Sequence, residues 1–217
     1  MKKSLRERIY LEIRDEITLG NLKPGERLTE DKLSKQFKAS KTPIREALRQ
    51  LESESLIVFE RNRGITVSKL SIKQVKEIYG LRSLLEGYAA RLFCERATEK
   101  DLAYLRDLHK SLERVNKAHS IKEWVHYNNL FHAYIIERTS NDNLNSVVDT
   151  LKRRVYRLSY IGATIPGKLD EYLKTHEKLI EACEKKDGDM AEKYMKRHIE
   201  DIKDFLIGIL TTFPSLT

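Results

Sequence analysis

Nine glycines and four prolines in 217 residues leave few places where this chain can turn sharply. Globular sequences carry roughly 12% of these two residues, about twice the share found here. Few turns mean long elements, which disfavours an all-β sandwich or barrel and favours helices. The apolar residues agree: Leu5, Ile9, Ile13 and Ile17 recur every fourth position, one stripe of an amphipathic helix ending near Gly20. With 40% hydrophobic and 34% charged residues the chain is globular rather than disordered. The longest uncharged stretch, Phe205 to Thr217, is interrupted by Pro214 and too short to span a bilayer, so no membrane partner is expected. The first residues carry charges where a signal peptide needs an apolar run. Cys94 and Cys183 lie in helical patterns without a Cys-x-x-Cys spacing, which fits reduced thiols and a cytoplasmic location.

Residues 1–70 hold 16 Lys+Arg against 11 Asp+Glu, net +5, whereas residues 71–217 hold 25 against 22, net +3. The excess positive charge of the first third points to a polyanionic partner. Asn21 to Gly25 reads as a turn, Thr29 as the cap of a short second helix, and Thr42-Pro43 as the cap and first residue of a third that runs to about Glu54. Ile57-Val58-Phe59-Glu60 and Ile65-Thr66-Val67 are β-prone and flank Arg61-Asn62-Arg63-Gly64, a hairpin with a basic tip. Three helices and a two-stranded wing are the layout of a winged helix-turn-helix. On the third helix Lys41, Arg45 and Arg49 form one stripe, turned about 100° from Ile44, Leu48 and Leu51. The apolar face can dock on the first helix while the cations enter the major groove of double-stranded operator DNA, where arginine pairs both acceptors of a guanine. Thr42 and the helix N-terminus suit a phosphate, and Arg61 and Arg63 can reach the backbone or the minor groove.

After a boundary near Ser71 the pattern is helical throughout, with helices expected near 72–96, 99–118, 120–138, 144–162, 168–185 and 189–211. The expected domains are therefore 1–70, DNA-binding, and 71–217, an all-helical bundle. Asn128 and His132 are four apart and share a helix face, His176 lies among Leu173, Leu179 and Ile180, and His198 lies between Met195 and Ile202. Three imidazoles and an amide oxygen from separate helices can converge on a divalent transition metal such as zinc, nickel or manganese, and each histidine taken singly also suits a hydrogen-bonded core position. His109, His119 and His126 are expected at the surface or as ordinary helix residues.

The strings Leu28-Thr29-Glu30-Asp31-Lys32-Leu33, Ser40-Lys41-Thr42-Pro43-Ile44-Arg45-Glu46-Ala47-Leu48-Arg49 and Arg63-Gly64-Ile65-Thr66-Val67 resemble the DNA-binding domain of GntR-family transcriptional regulators. That resemblance implies operator contacts from Lys41, Arg45, Arg49 and Gly64. Asn128-Asn129-Leu130-Phe131-His132, Arg82-Ser83-Leu84-Leu85-Glu86 and the segments around His176 and His198 resemble the FCD ligand-binding domain of the FadR-type branch. The metal-binding members of that domain imply Asn128, His132, His176 and His198 as ligands, with asparagine where most have aspartate. The resemblance further implies a homodimer joined through the helical domain, and a repressor rather than an enzyme. A small carboxylate would bind at the metal, balanced by Arg82 and, from a neighbouring helix, by Arg153, Arg154 or Arg157. Two alternatives are a regulator whose effector is the ion itself and a helical-bundle metalloenzyme. The second leaves the basic helix and wing without a role.

Overall fold

A computed structural model describes residues 4–60, 64–165 and 167–214. The chain begins with α1 (Leu5–Thr18), opened by Ser4, whose hydroxyl accepts from the Glu7 amide. A two-residue strand β1 (Arg27–Leu28) leads to α2 (Glu30–Phe37), capped by Thr29 as its sequence predicts and closed by Lys38 in the left-handed conformation, φ 49°. The third helix, α3 (Lys41–Ser53), opens earlier than the sequence suggests. Ser40 rather than Thr42 is its N-cap, and Pro43 sits at the third helical position. Proline is tolerated there because the first-turn amides have no intrahelical acceptor in any case.

The wing strands β2 (Ile57–Glu60) and β3 (Gly64–Val67) pair antiparallel, Glu60 opposite Gly64 and Ile57 opposite Val67. Residues 61–63 lie outside the described residues, and with them Arg61 and Arg63. The sheet order is β1-β3-β2: Arg27 and Leu28 pair with Thr66 and Ile65 on the far edge. So short a strand has no periodicity by which sequence could reveal it. Ile9, Ile13 and Ile17 of α1, Leu33 of α2 and Ile44, Leu48 and Leu51 of α3 meet Ile57 and Val67 of the sheet in one core.

Among the described residues seven further helices form the second unit: α4 (Ile72–Arg96), α5 (Glu99–Lys117), α6 (Ile121–Glu137), α7 (Asp142–Arg154), α8 (Tyr156–Ala163), α9 (Lys168–Glu184) and α10 (Gly188–Thr212). Two start with reciprocal capping boxes, Ser71 with Gln74 and Thr98 with Asp101. A single helix expected near 144–162 is in fact two, broken at Val155 with φ −110° and ψ 9°. Its buried side chain continues the stripe of Val148, Leu151 and Leu158, so the apolar pattern runs straight through the break. The long helices α4 and α10 pack along one another, and α4 also meets α6, α7 and α9.

The two cores share no residue: one extends from Ile9 to Val67, the other from Leu70 to Leu210. Between them α1 leans on α8, and Lys122 Nζ reaches Asp15 Oδ2 at 2.8 Å. No helix among the described residues is long and apolar enough to cross a membrane.

Candidate functional site

On α3 the side chains of Ile44, Leu48 and Leu51 are fully buried while Lys41, Thr42, Arg45 and Arg49 face outward. Two of the three cations are held by the acidic first turn of α2. Arg45 Nε donates to both carboxylate oxygens of Glu30, at 2.8 and 2.9 Å, and Lys41 Nζ lies 2.8 Å from Asp31 Oδ1. Arg49 makes no ion pair with a described residue. Gly64 opens β3 at φ +77°, a conformation that favours glycine, at the base of the wing. The result is an outward face of α3 that carries three cations, beside the start of β3 at Gly64.

The second site lies inside the helical unit. His132 of α6, His176 of α9 and His198 of α10 are all buried, and one ring nitrogen from each falls within 4.8 Å of the others. His176 Nε2 and His198 Nε2 are 3.3 Å apart. Phe131 stacks on the His176 ring at 4.3 Å, and the His132 and His198 rings stack at 5.3 Å, which fixes their orientation. Burial holds all three imidazoles below their ordinary pKa, and for His176 and His198 the neighbouring imidazoles add to it. They are therefore neutral, the state in which imidazole is a ligand.

Beside them is a buried ion pair from α4. Arg82 Nε donates to Glu86 Oε1 at 2.7 Å, and Glu86 Oε2 accepts from His132 Nδ1 at 2.9 Å. Burial alone would raise the Glu86 carboxyl, but the Arg82 charge and the His132 hydrogen bond hold it well below the usual carboxylate range. A carboxylate on Nδ1 puts the proton there and leaves the Nε2 lone pair of His132 free. The guanidinium of Arg82 also lies over the Tyr79 ring, 4.8 Å from its centroid.

Several polar atoms around this cavity have no protein partner. They are Asn128 Oδ1, Trp124 Nε1, Tyr172 Oη and the Nδ1 atoms of His176 and His198. A buried polar atom left alone costs about 1–3 kcal/mol. A cluster of them around one cavity marks a place for a bound group. Three neutral imidazoles and an orphaned amide oxygen are the donor set of a divalent transition metal, and the residues fit one. The rest of the lining is rich in hydrogen-bond donors: Arg82, Trp124, Lys152 and Tyr172.

The geometry therefore brings Asn128, His132 and Arg82 into the lining of one cavity, with His176 and His198 clustered behind His132. It does not bring Arg153, Arg154 or Arg157 into the lining. Arg153 points outward and pairs with Asp149 at 2.5 Å, and Arg157 is buried elsewhere in α8. The cation that α7 supplies is Lys152, half-buried, its ammonium pushed down by burial and in no ion pair with a described residue. On a helix only one of Lys152, Arg153 and Arg154 can face a given side, and the break at Val155 turns Arg157 away. Trp124 and Tyr172 were not singled out either, because both lie on apolar stripes where aromatic residues are usual. Of the two places expected for His109, surface or ordinary helix position, the structure gives the second: it is buried in α5, with Nε2 3.1 Å from the Leu173 carbonyl, and ties α5 to α9. His119 and His126 are exposed.

A winged reading head on an all-helical domain defines a DNA-binding transcriptional regulator. Residues 5–67 match the gntR family of bacterial regulatory proteins, and residues 77–201 match the FCD domain. The chain belongs to the GntR family, in its FadR-type branch. It is 30% identical to the gluconate operon transcriptional repressor of Bacillus subtilis, over 94% of this chain and 85% of that one. It is also 30% identical to the HTH-type transcriptional regulator McbR of Escherichia coli, over 85% and 84%. The solved structure of E. coli McbR/YncC superposes with a TM-score of 0.74 at 27% identity, covering 97% of this chain and 99% of that one. This is a regulator and not an enzyme, so the metalloenzyme alternative falls away.

Proposed function

We propose that this protein is a cytoplasmic, homodimeric repressor whose operator affinity is set by a small organic acid bound in the histidine cavity. The observation that carries this reading is the cavity's asymmetry. On one side His132 and the Asn128 oxygen line it, with the imidazoles of His176 and His198 clustered behind, and the rest of the lining carries Arg82, Trp124, Lys152 and Tyr172. Asn128, His132, His176 and His198 would hold a zinc, nickel or manganese ion, which when bound supplies open positions for an oxygen ligand. Arg82, braced by Glu86, orients a carboxylate. Lys152 brings the charge that Arg82 has already shared with Glu86. Trp124 and Tyr172 donate to the acid's remaining oxygens, so an amine finds no acceptor among them. The kinship with a gluconate operon repressor is in keeping with an acidic effector and with repression.

The homodimer is supported by α4, where Leu81, Leu84 and Tyr88 share one face and stand 47–58% exposed. A contiguous apolar stripe of this kind marks an interface, and two heads are what a two-fold operator requires. The ligand would bind one arrangement of the two units more tightly than another and so shift operator affinity, with a coupling of about 1–3 kcal/mol or 5–150-fold.

The test is the metal content of purified protein by elemental mass spectrometry, followed by calorimetry with a panel of carboxylates on loaded protein. About one transition-metal ion per chain is expected, lost in His132→Ala. Protein that stays metal-free after reloading with zinc, nickel and manganese refutes the metal site, and silence across the acid panel refutes the acid effector. A second reading, the ion as the effector, draws on the small volume of the cavity, about 40 Å3. It predicts that metal alone changes binding to duplexes selected from a random pool and that acids add nothing.

A further inference from the structure

A cavity of about 40 Å3 holds little. One water needs roughly 10–15 Å3, so an ion with a few waters, or a single carboxylate, fills it. Any longer acid must project from it. Asn129, Lys152 and Tyr156 line this cavity and also line a second, open cleft of about 350 Å3 between the two units. The opposite wall of that cleft is built by the DNA-reading unit and includes Tyr10 and Arg14 of α1.

The charges of the cleft are mostly spoken for, with two exceptions. Glu54 accepts from the Tyr10 hydroxyl at 2.8 and 2.9 Å, and Asp149 pairs with Arg153. Asp15 is shared by Arg14 and Lys122, at 3.1 and 2.8 Å, one anion between two cations. Arg14 Nε is buried and has no partner. Lys152 makes no ion pair with a described residue. A cation with bonding capacity left therefore stands on each side of the cleft: Lys152, without an ion pair among the described residues, at the neck of the inner cavity, and Arg14, whose Nε is unpartnered while its Nη2 shares Asp15, on the reading head. Lys152 and Tyr156 flank the Val155 break, and α8 beyond the break is the helix that packs on α1.

We propose that the interdomain cleft is the outer half of the effector site, filled by a linear acid with an anionic group at each end. One end sits among the donors of the histidine cavity, the chain passes between Lys152 and Tyr156, and the other end meets Arg14. This rests on the acid-effector reading above and adds what it lacks, a ligand that touches both units at once. Such a ligand has different contacts in different domain arrangements, which is the physical requirement for shifting between them.

Calorimetry on the zinc-loaded full-length protein tests this with straight-chain dicarboxylates from succinate to pimelate, each against the monocarboxylate of equal carbon number. Beyond one chain length the dicarboxylate should bind at least about tenfold more tightly, the worth of one charge-assisted hydrogen bond. In Arg14→Ala that ratio should collapse toward one, and Arg14→Lys should restore part of it. A ratio that does not depend on length, or that Arg14→Ala leaves intact, overturns the proposal. His132→Ala separates the two ideas: a length-dependent ratio that survives there keeps the bridging ligand and removes the metal. Wild-type protein that binds no acid of either series overturns both.

Discussion

Replacing Glu86 by glutamine removes one charge from the most enclosed ion pair of the molecule. The side chains of Arg82 and Glu86 are 8% and 1% exposed, their contact is 2.7 Å, and the second carboxylate oxygen is engaged by His132. Glutamine has nearly the same shape and can still accept from His132 Nδ1, so the packing changes little. What changes is that the Arg82 guanidinium loses its counter-charge where water cannot replace it. Breaking a buried pair in this way costs about 3–5 kcal/mol. For a chain of this size each kcal/mol moves the melting temperature by roughly 2–4 °C, so the helical unit of Glu86→Gln should melt on the order of 10 °C lower. Calorimetric melting with Arg82→Gln and the double variant closes the cycle, and the double variant should recover at least half of the loss. Zinc affinity should fall by about tenfold or more, since the negative charge behind His132 Nδ1, which makes its Nε2 the more basic ligand, is gone. A loss below about 1 kcal/mol, or single effects that add within roughly 0.5 kcal/mol, would mean that the pair is not coupled and the argument is wrong.

Three other perturbations have definite expected outcomes. Arg45→Ala should weaken binding to a selected operator by about 1–3 kcal/mol in a mobility-shift titration while leaving the melting of the helical unit unchanged; equal loss of both would make Arg45 structural. Leu84→Lys places a charge in the exposed stripe of α4 and should move the protein from dimer to monomer in sedimentation, whereas an unchanged dimer would place the interface elsewhere. Asp101 is buried, which alone would raise its pKa, yet hydrogen bonds from Thr98 and Tyr134 and the Arg138 charge hold it at about 2. Its contribution, about 2 kcal/mol, is present above its unfolded value of 3.8 and is lost as pH falls toward 2, so Asp101→Asn should flatten the stability profile in that window and leave its slope above pH 5 unchanged.

The fold was largely written in residues whose local demands agree with their packing. The stripe of Leu5, Ile9, Ile13 and Ile17, the caps Thr29, Ser71 and Thr98, and the alternation around Gly64 each specify an element without help from elsewhere. The Val155 break was not legible because a buried β-branched residue looks the same in a continuous stripe as at a kink. The start of α3 was misplaced because Thr42-Pro43 has the composition of a cap, while Ser40 fills that position without making a side-chain capping bond. At the buried histidine cluster, histidines on apolar faces stand out, so the convergence of His132, His176 and His198 could be anticipated. Lys152, Trp124 and Tyr172 could not, because their importance lies in what they fail to touch. An unpartnered indole N–H or ammonium is a property of three-dimensional neighbours and has no sequence signature.

Glu30 and Asp31 give the reading head a character that its positive charge alone would not predict. They occupy Arg45 and Lys41, and if these are the groups that meet DNA, each encounter would be a displacement in which carboxylates are pushed toward phosphates. A random stretch of chromosome offers only phosphates in exchange and gains little. An operator offers base edges to the released arginine fork and recovers the loss. Intramolecular acids on this surface would thus act as a tax on the vast excess of competing genomic sites.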